Sequence, residues 1–471
     1  MSAGPQPLEL AANWERRRRE RGLLLACLGC VALGFLLVLG SQHGAGATLA
    51  AGDLAPLLIY GASLLALHLS LVALGHRGDQ VLVAVVGFLG GLGLLAQARM
   101  GTLDRPGSLV TGDLILPLGL LVMLAVAGIF ADGRYRLLAA RFWVWGGLSL
   151  ALVAVILLTG QRFRGAVFGL GFITPTELLK VTVVLFVAGF VHHHARALGR
   201  WHPRYPLPPW EPLWQLLAFW LALAGLLLFQ RDLGMVAILG IPVLALLVMG
   251  SGRVGYLVYG LLGALALGLL MLGVFEHGER RIAAWLNPFD DPTGDGWQIL
   301  QGLSGLYSGG LWGEGFGLGS PGYTPIAESD FIYSVIGEEL GFVGCALLIL
   351  FYLILFQRGL EITERSRCAF GKLIAAGLTA TLATQTFLNV AGVTKLIPLT
   401  GVTLPLISQG NASLLVTAAS VGLLLAVSDT AQGAPTRRGK GGTRRKGAAT
   451  ASNRRTPGQG STRRSAPKEK G

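Results

Sequence analysis

Between residues 276 and 330 the chain places Arg280 and Arg281 ahead of Asn287-Pro288, then three aspartates at Asp290, Asp291 and Asp295, with Trp285 and Trp297 on either side. A positioned carboxylate takes a proton from a hydroxyl, and guanidinium groups hold phosphate oxygens in a planar fork. Together with aromatic platforms and the tight turns of Gly294, Gly296 and the run Ser308 to Gly315, these types suit an amphiphile with a sugar and phosphate head. The aspartates also have a plainer reading, because Asp-Pro and Asp-x-Gly dipeptides initiate turns in solvated loops.

Other charges lie in or beside long apolar runs. Glu177 and Lys180 are three residues apart, so a helix puts them on one face, where the pair offsets a cost of roughly 2.5–3.5 kcal/mol for a lone charge at mid-bilayer. They should face the interior of a bundle. Arg231-Asp232 stands at a helix start, where Asp232 reads equally as a cap and as a functional carboxylate. Glu338 and Glu339 follow Phe331 inside another run. His192, His193 and His194 read as a solvated cluster at a helix end, not as a metal site. Cys27, Cys30, Cys345 and Cys368 give no disulfide framework and read as small packing residues.

What must position these groups is a membrane bundle. Hydrophobic residues are 52% of the 471, charged residues 13%, and the mean hydropathy is +0.61, which excludes an ordinary water-soluble domain. Twelve apolar runs are near 22–41, 54–75, 80–99, 113–130, 141–159, 176–192, 213–229, 232–250, 254–275, 331–356, 370–392 and 402–427. Each is close to the roughly 20 residues that a spanning helix needs, so the fold class is all-α and polytopic, with about twelve spans and one long extracytoplasmic loop at 276–330. The first run is longer than a signal-peptide core and reads as an uncleaved anchor. With both termini inside, cytoplasmic segments hold 29 Lys and Arg against 8 outside, and 17 against 8 without the tail. Residues 1–21 form a basic cytoplasmic terminus, and 428–471 a basic tail too poor in apolar residues to fold. This asymmetry accounts for the net charge of +13 and points the tail at anionic lipids, not at nucleic acid.

Several stretches then resemble one family, the shape, elongation, division and sporulation proteins that include RodA, FtsW and SpoVE. Its pattern of Arg, Asn-Pro and Asp-Pro-x-Gly-x-Gly-aromatic-Gln is similar to Arg281 through Gln298, and its Ser-Gly-Gly-Leu-x-Gly-x-Gly to Ser308 through Gly315. Ser329-Asp330-Phe331-Ile332 with Glu338 to Gly341, Pro175-Thr176-Glu177 with Lys180, and Asn389, Pro398 to Gly401 and Leu404 to Ser408 resemble further signatures in the family's order. The resemblance implies a ten-helix core over 80–427, with the two helices of 22–75 as an addition. Arg231, Gln409 and Asn411 depart from the pattern, and the stretch Arg162 to Ala166 is shortened. The stretch Thr324 to Asp330 looks more like elongation-type members.

The family likeness further implies a peptidoglycan glycosyltransferase that polymerises lipid II at the outer face of the cytoplasmic membrane, for elongation, division or sporulation. Asp291 carries over the family's catalytic aspartate. Arg280, Arg281 and Lys395 become candidate pyrophosphate contacts, with Gln298, Asp330 and Ser408 as further substrate-side positions and Asp232, Glu338 and Glu339 as secondary candidates. A divalent cation, Mg or Mn, could assist, although no ligand set is legible. The implied partner is a class B penicillin-binding protein, a transpeptidase with a single membrane helix. A lipid II flippase and a non-catalytic scaffold are the rival classes.

Overall fold

The computed structural model describes residues 7–43, 51–103, 112–159, 161–163, 166–168, 174–202, 207–230, 232–274 and 276–431. Sixteen α-helices run through them in chain order: α1 (Pro7–Arg16), α2 (Arg18–His43), α3 (Ala55–Ala73), α4 (Gln80–Arg99), α5 (Gly112–Ile129), α6 (Leu137–Ala140), α7 (Phe142–Thr159), α8 (Leu179–Leu198), α9 (Trp210–Phe229), α10 (Leu233–Ser251), α11 (Gly255–Val274), α12 (Glu276–Leu286), α13 (Trp297–Gly309), α14 (Ile332–Arg365), α15 (Ala369–Val393) and α16 (Asn411–Ala431). Hydrocarbon offers backbone groups no partner, so each apolar run closes its own hydrogen bonds as a helix. The chain is a multi-pass membrane protein. Ten helices among the described residues are long and apolar enough to span, and the pair Ala131–Ala140 with Phe142–Leu158, bent by 75°, makes an eleventh. Of the twelve expected spans, the run not among these, 254–275, falls on α11, whose apolar stretch Gly255–Gly268 is shorter than a span needs. The tail expected from 428 starts later, since α16 runs to Ala431 with Ser428 and Asp429 buried and accepting from the Asp79 and Arg77 amides; the rest of the tail, and Arg231, lie outside the described residues.

Four helices form the centre. The spans of α4, α15 and α16 are 83%, 78% and 78% buried and that of α8 is 67% buried, against a third to a little under a half for the other spans. The added helices α2 and α3 pack on α4 and α5. Tyr60 of α3, fully buried, donates to the Gly87 carbonyl at 3.1 Å, and Cys27 of α2 to the Ala84 carbonyl at 3.5 Å. At the N-terminal end of α2, Arg17 pairs with Glu20, both buried, and Glu20 also holds His68 Nδ1 at 2.7 Å. Arg17 further donates to the His76 carbonyl at 2.7 Å. One arginine of the basic terminus is therefore part of the packing between the added helices and the core.

The shortened stretch near Arg162 folds differently from the rest. Gln161–Phe163 (β1) and Ala166–Phe168 (β2) pair antiparallel, a small exception to the all-helical plan. The loop expected at 276–330 carries helices of its own, α12 and α13, which rest against the start of α14 and the turn after α15.

Candidate active site

Helix α12 ends at Leu286 because Asn287-Pro288 follows, and a proline disfavours helical geometry in the residue before it. Its last turn is tied down: the Trp285 indole donates to the Lys395 carbonyl at 3.0 Å, and Lys395 Nζ to the Leu286 carbonyl at 3.4 Å. The chain then folds back on Asp291. Its Oδ1 accepts from the Gly294 amide and its Oδ2 from the Asp295 amide, both at 3.0 Å, while the Gly296 amide donates to its carbonyl at 3.1 Å. Side chains fit neither glycine. A Cβ at Gly294 would come within 2.0 Å of Asp291 Oδ2, and one at Gly296 within 2.1 Å of the Pro288 carbonyl oxygen. The turn reading and the functional reading of Asp291 thus coincide: the motif builds a rigid turn whose carboxylate is exposed. Asp290 beside it is also exposed, and Gln298 is half-buried in the first turn of α13.

Arg281 is half-buried on α12, whereas Arg280 is exposed. Burial pulls the Arg281 guanidinium down from its usual range, and the charges of Asp232 and Asp330 oppose that. Burial pushes the Asp330 carboxyl up; the Ser329 hydroxyl, donating at 3.1 Å, and Arg281 work against it, while Glu328 adds to it. Asp232 is also pushed up by burial, opposed first by the Met235 amide that it caps at 2.9 Å. Glu177 adds to that shift, and Lys180 and Arg281 lower it. The charge of Asp232 is thus felt by Arg281, that of Arg281 by both Asp232 and Asp330, and those of Glu177 and Lys180 by Asp232, whereas the Asp291 carboxylate is engaged by its own turn. Asp232 serves as the N-cap of α10.

Glu177, on the 3₁₀ turn Pro175–Leu178, pairs with Lys180 on α8, and the lysine is buried as an interior pair requires. Lys180 Nζ also donates to Gln385 Oε1 of α15 at 2.9 Å. Gln385 Nε2 in turn donates to the Thr403 carbonyl at 2.9 Å. Nothing in the sequence marked Gln385, since its partner lies 205 residues away.

Glu338 and Glu339 hold the glycine-rich loop. Glu338 Oε1 accepts from the Ser320 amide at 2.6 Å, and Glu339 Oε2 from the Gly317 amide at 3.3 Å. Glu339 Oε1 also accepts from Arg99 Nε at 2.8 Å, and Arg99 reaches the Gly319 carbonyl at 2.7 Å. Behind this contact α14 is broken at Gly341, whose φ of 67° and ψ of −167° a side chain would strain. A cavity of about 640 Å³ opens beside the loop, lined among others by Arg99, Thr102, Tyr323, Thr324 and Glu328.

Ser408 is buried and engaged on both sides: its hydroxyl donates to the Ser329 carbonyl at 2.5 Å and accepts from the Leu404 amide at 2.8 Å. Asn389 donates to the Asp330 carbonyl at 2.9 Å and the Val402 carbonyl at 2.7 Å. Gln409, at a departure from the family pattern, donates to the Thr102 carbonyl at 3.0 Å, and its amide to the Glu328 carbonyl at 2.7 Å. Asn411, the third departure, opens α16. These residues fix the backbone around Asp330.

Residues 80–433 match the Cell cycle protein family of FtsW, RodA and SpoVE. The chain belongs to that family. Within the FtsW/RodA/SpoVE family it is similar to the peptidoglycan glycosyltransferase RodA of Mycobacterium tuberculosis, strain H37Rv, at 34% identity over 434 residues, covering 88% of this chain and 91% of that protein. It is also similar to the probable peptidoglycan glycosyltransferase FtsW of Geobacter sulfurreducens, at 35% identity over 265 residues, covering 55% of this chain and 68% of that one. Among solved structures, one chain of a peptidoglycan synthase complex studied for its coordination of polymerization and crosslinking superposes with a TM-score of 0.60 at 26% identity, over 76% of this chain and 99% of that chain. The rod shape determining protein RodA of Thermus thermophilus gives 0.52 at 26% identity, over 74% and 96%. The mycobacterial match covers about 414 residues, more than the 392 from residue 80 to the end, so it reaches upstream into the added helices.

Proposed function

We infer that this member of the FtsW/RodA/SpoVE family is a peptidoglycan glycosyltransferase that polymerises lipid II at the outer face of the cytoplasmic membrane. The observation that carries the mechanism is the Asp291 carboxylate, exposed and held by the Gly294 and Asp295 amides. In the proposed step Asp291 takes the proton from the acceptor sugar hydroxyl. The hydroxyl oxygen bonds to the anomeric carbon of the donor as the bond to pyrophosphate breaks, inverting that carbon. In this reading Arg280 and Arg281 of α12 neutralise the departing pyrophosphate, together with Lys395, which follows α15 and packs against the end of α12. Gln298 and Asp330 are further substrate-side positions in the same reading, and Ser408 acts through the Ser329 carbonyl and Leu404 amide that it holds.

A divalent cation, Mg or Mn, would draw most of its ligands from the pyrophosphate, since no three His, Cys, Asp or Glu side chains cluster as a metal site among the described residues. The wider coverage by RodA than by FtsW relatives favours an elongation-type role. The matched peptidoglycan synthase complex favours a class B penicillin-binding protein as partner. The Lys and Arg asymmetry supports cytoplasmic termini, with anionic lipids attracting the tail. Cysteines introduced at exposed Tyr323 and Glu364 should then label from opposite sides.

The test is purified full-length protein with lipid II in vesicles. Glycan polymer supports the enzyme, translocation without polymer would make it a flippase, and neither would leave a scaffold.

A further inference from the structure

Helix α13 buries one face and presents the other. Ile299, Gly302 and Gly309 pack inward, Gly302 against Phe331 and Gly309 against the Gly337 carbonyl. On the outward side, Tyr307 is 89% exposed, Leu311 55% and Trp312 76%. Single exposed apolar residues need no explanation, but this group is contiguous with a second one. The Phe342 amide donates to the Gly310 carbonyl at 2.9 Å, and the Val343 amide to the Leu311 carbonyl at 3.2 Å. Leu311 and Trp312 are thereby set beside Phe342, which is 67% exposed and heads the apolar row of α14 that continues through Ile349, Leu350 and Leu353.

That row is too short by itself. From Phe342, just past the break at Gly341, to Phe356, just before Gln357 and Arg358, α14 has 15 residues. At 1.5 Å per residue this is about 22 Å, against a hydrocarbon layer of about 30 Å. The missing length lies at the Phe342 end, where Tyr307, Leu311 and Trp312 sit. Tryptophan and tyrosine are also the residues favoured at the boundary between acyl chains and headgroups.

We propose that the segment 307–312 inserts into the phospholipid leaflet on its side of the membrane and extends the lipid-facing surface of α14. The insertion ties α13, and with it the turn of Asp291, to a fixed depth. It depends on the chain spanning a membrane and not on the assigned reaction.

Hydroxyl-radical footprinting of the unmodified full-length protein in phospholipid vesicles tests this. Trp312 and Tyr323 are equally exposed in the fold, at 76% each, so a difference in their oxidation reports the bilayer. Trp312 and Tyr307 should be oxidised roughly fivefold less than Tyr323 or lower still, as residues at the acyl boundary are shielded from water. Equal oxidation would overturn the proposal. A second measurement uses a fluorophore on Trp312→Cys in a chain whose four native cysteines are replaced by alanine. It should be quenched by doxyl-labelled phospholipid and spared by aqueous iodide, with the reverse at the exposed Glu314→Cys. Iodide quenching at both sites, or protection of Trp312 only when a second membrane protein is co-reconstituted, would reject insertion into lipid.

Discussion

Arg99 and Glu339 meet at 2.8 Å across 240 residues of chain, and this contact joins the end of α4 to the glycine-rich loop on α14. The same arginine holds the Gly319 carbonyl and the same glutamate the Gly317 amide. Neither charge stands alone at the edge of the membrane, and the loop gains a fixed floor. The pair is mostly buried, with side-chain exposures of 16% and 4%, so its loss should be measurable.

Glu339→Gln leaves a hydrogen-bonding side chain but removes the charge opposite Arg99. Bonds to charged groups contribute roughly 1.5–3 kcal/mol, and partial exposure of Arg99 argues for the lower end. We expect a lower melting temperature in detergent and weaker lipid II binding. An unchanged melting temperature would show that the pair does not hold the loop.

Asp291→Asn retains the size of the side chain and one acceptor oxygen for the turn, but it accepts no proton. Polymerisation should fall by roughly 10²- to 10⁴-fold, the contribution of a positioned base. Asp290→Asn is the control, because it makes the same charge change one residue away on the same exposed turn. Similar losses in both variants would reduce Asp291 to loop electrostatics. Near-normal synthesis by stable Asp291→Asn would move suspicion to Asp330 or Asp232.

Glu177→Ala takes the carboxylate from the buried Lys180 and leaves it the neutral Gln385 amide, whereas Glu177→Ala with Lys180→Ala removes both charges. The single variant should be the less stable by an amount on the order of 1–3 kcal/mol. A double-mutant cycle on melting temperature reads the coupling directly. Strictly additive losses would mean that the two residues act independently.

Asp330 gives the pH dependence. Burial raises its folded pKa above the unfolded value, so the folded state favours the protonated form. That contribution to stability is complete below the ordinary aspartate range and is lost as the pH rises through the raised value. Asp330→Asn, which never ionises, should therefore melt a degree or two above the parent, roughly, at pH 8. The gap should close as the pH is lowered towards the aspartate range. A constant gap across the titration would locate the effect elsewhere.

Much of the candidate site is short-range and for that reason legible in the residues. Glu177 and Lys180 meet because three residues is nearly one helical turn, and Asp291 binds amides three and four residues ahead within a turn that Pro292, Gly294 and Gly296 enforce. The apolar runs likewise announce their helices, since each span must satisfy its backbone within itself. The resemblance in those motifs pointed to the family that residues 80–433 match. What lay beyond reach was every partnership made across the bundle. Arg99 with Glu339, Gln385 with Lys180, Ser408 with the Ser329 carbonyl, and Asn389 with the Asp330 carbonyl all join distant segments. Arg17 read as one basic residue among five, yet packing buried it against Glu20 and the His76 carbonyl. Apolar periodicity says which face of a helix is buried, but in lipid the outward face is apolar as well, so the pattern does not name the neighbour. Only the close approach of small residues and the pairing of interior charges choose it, and both depend on the assembled bundle.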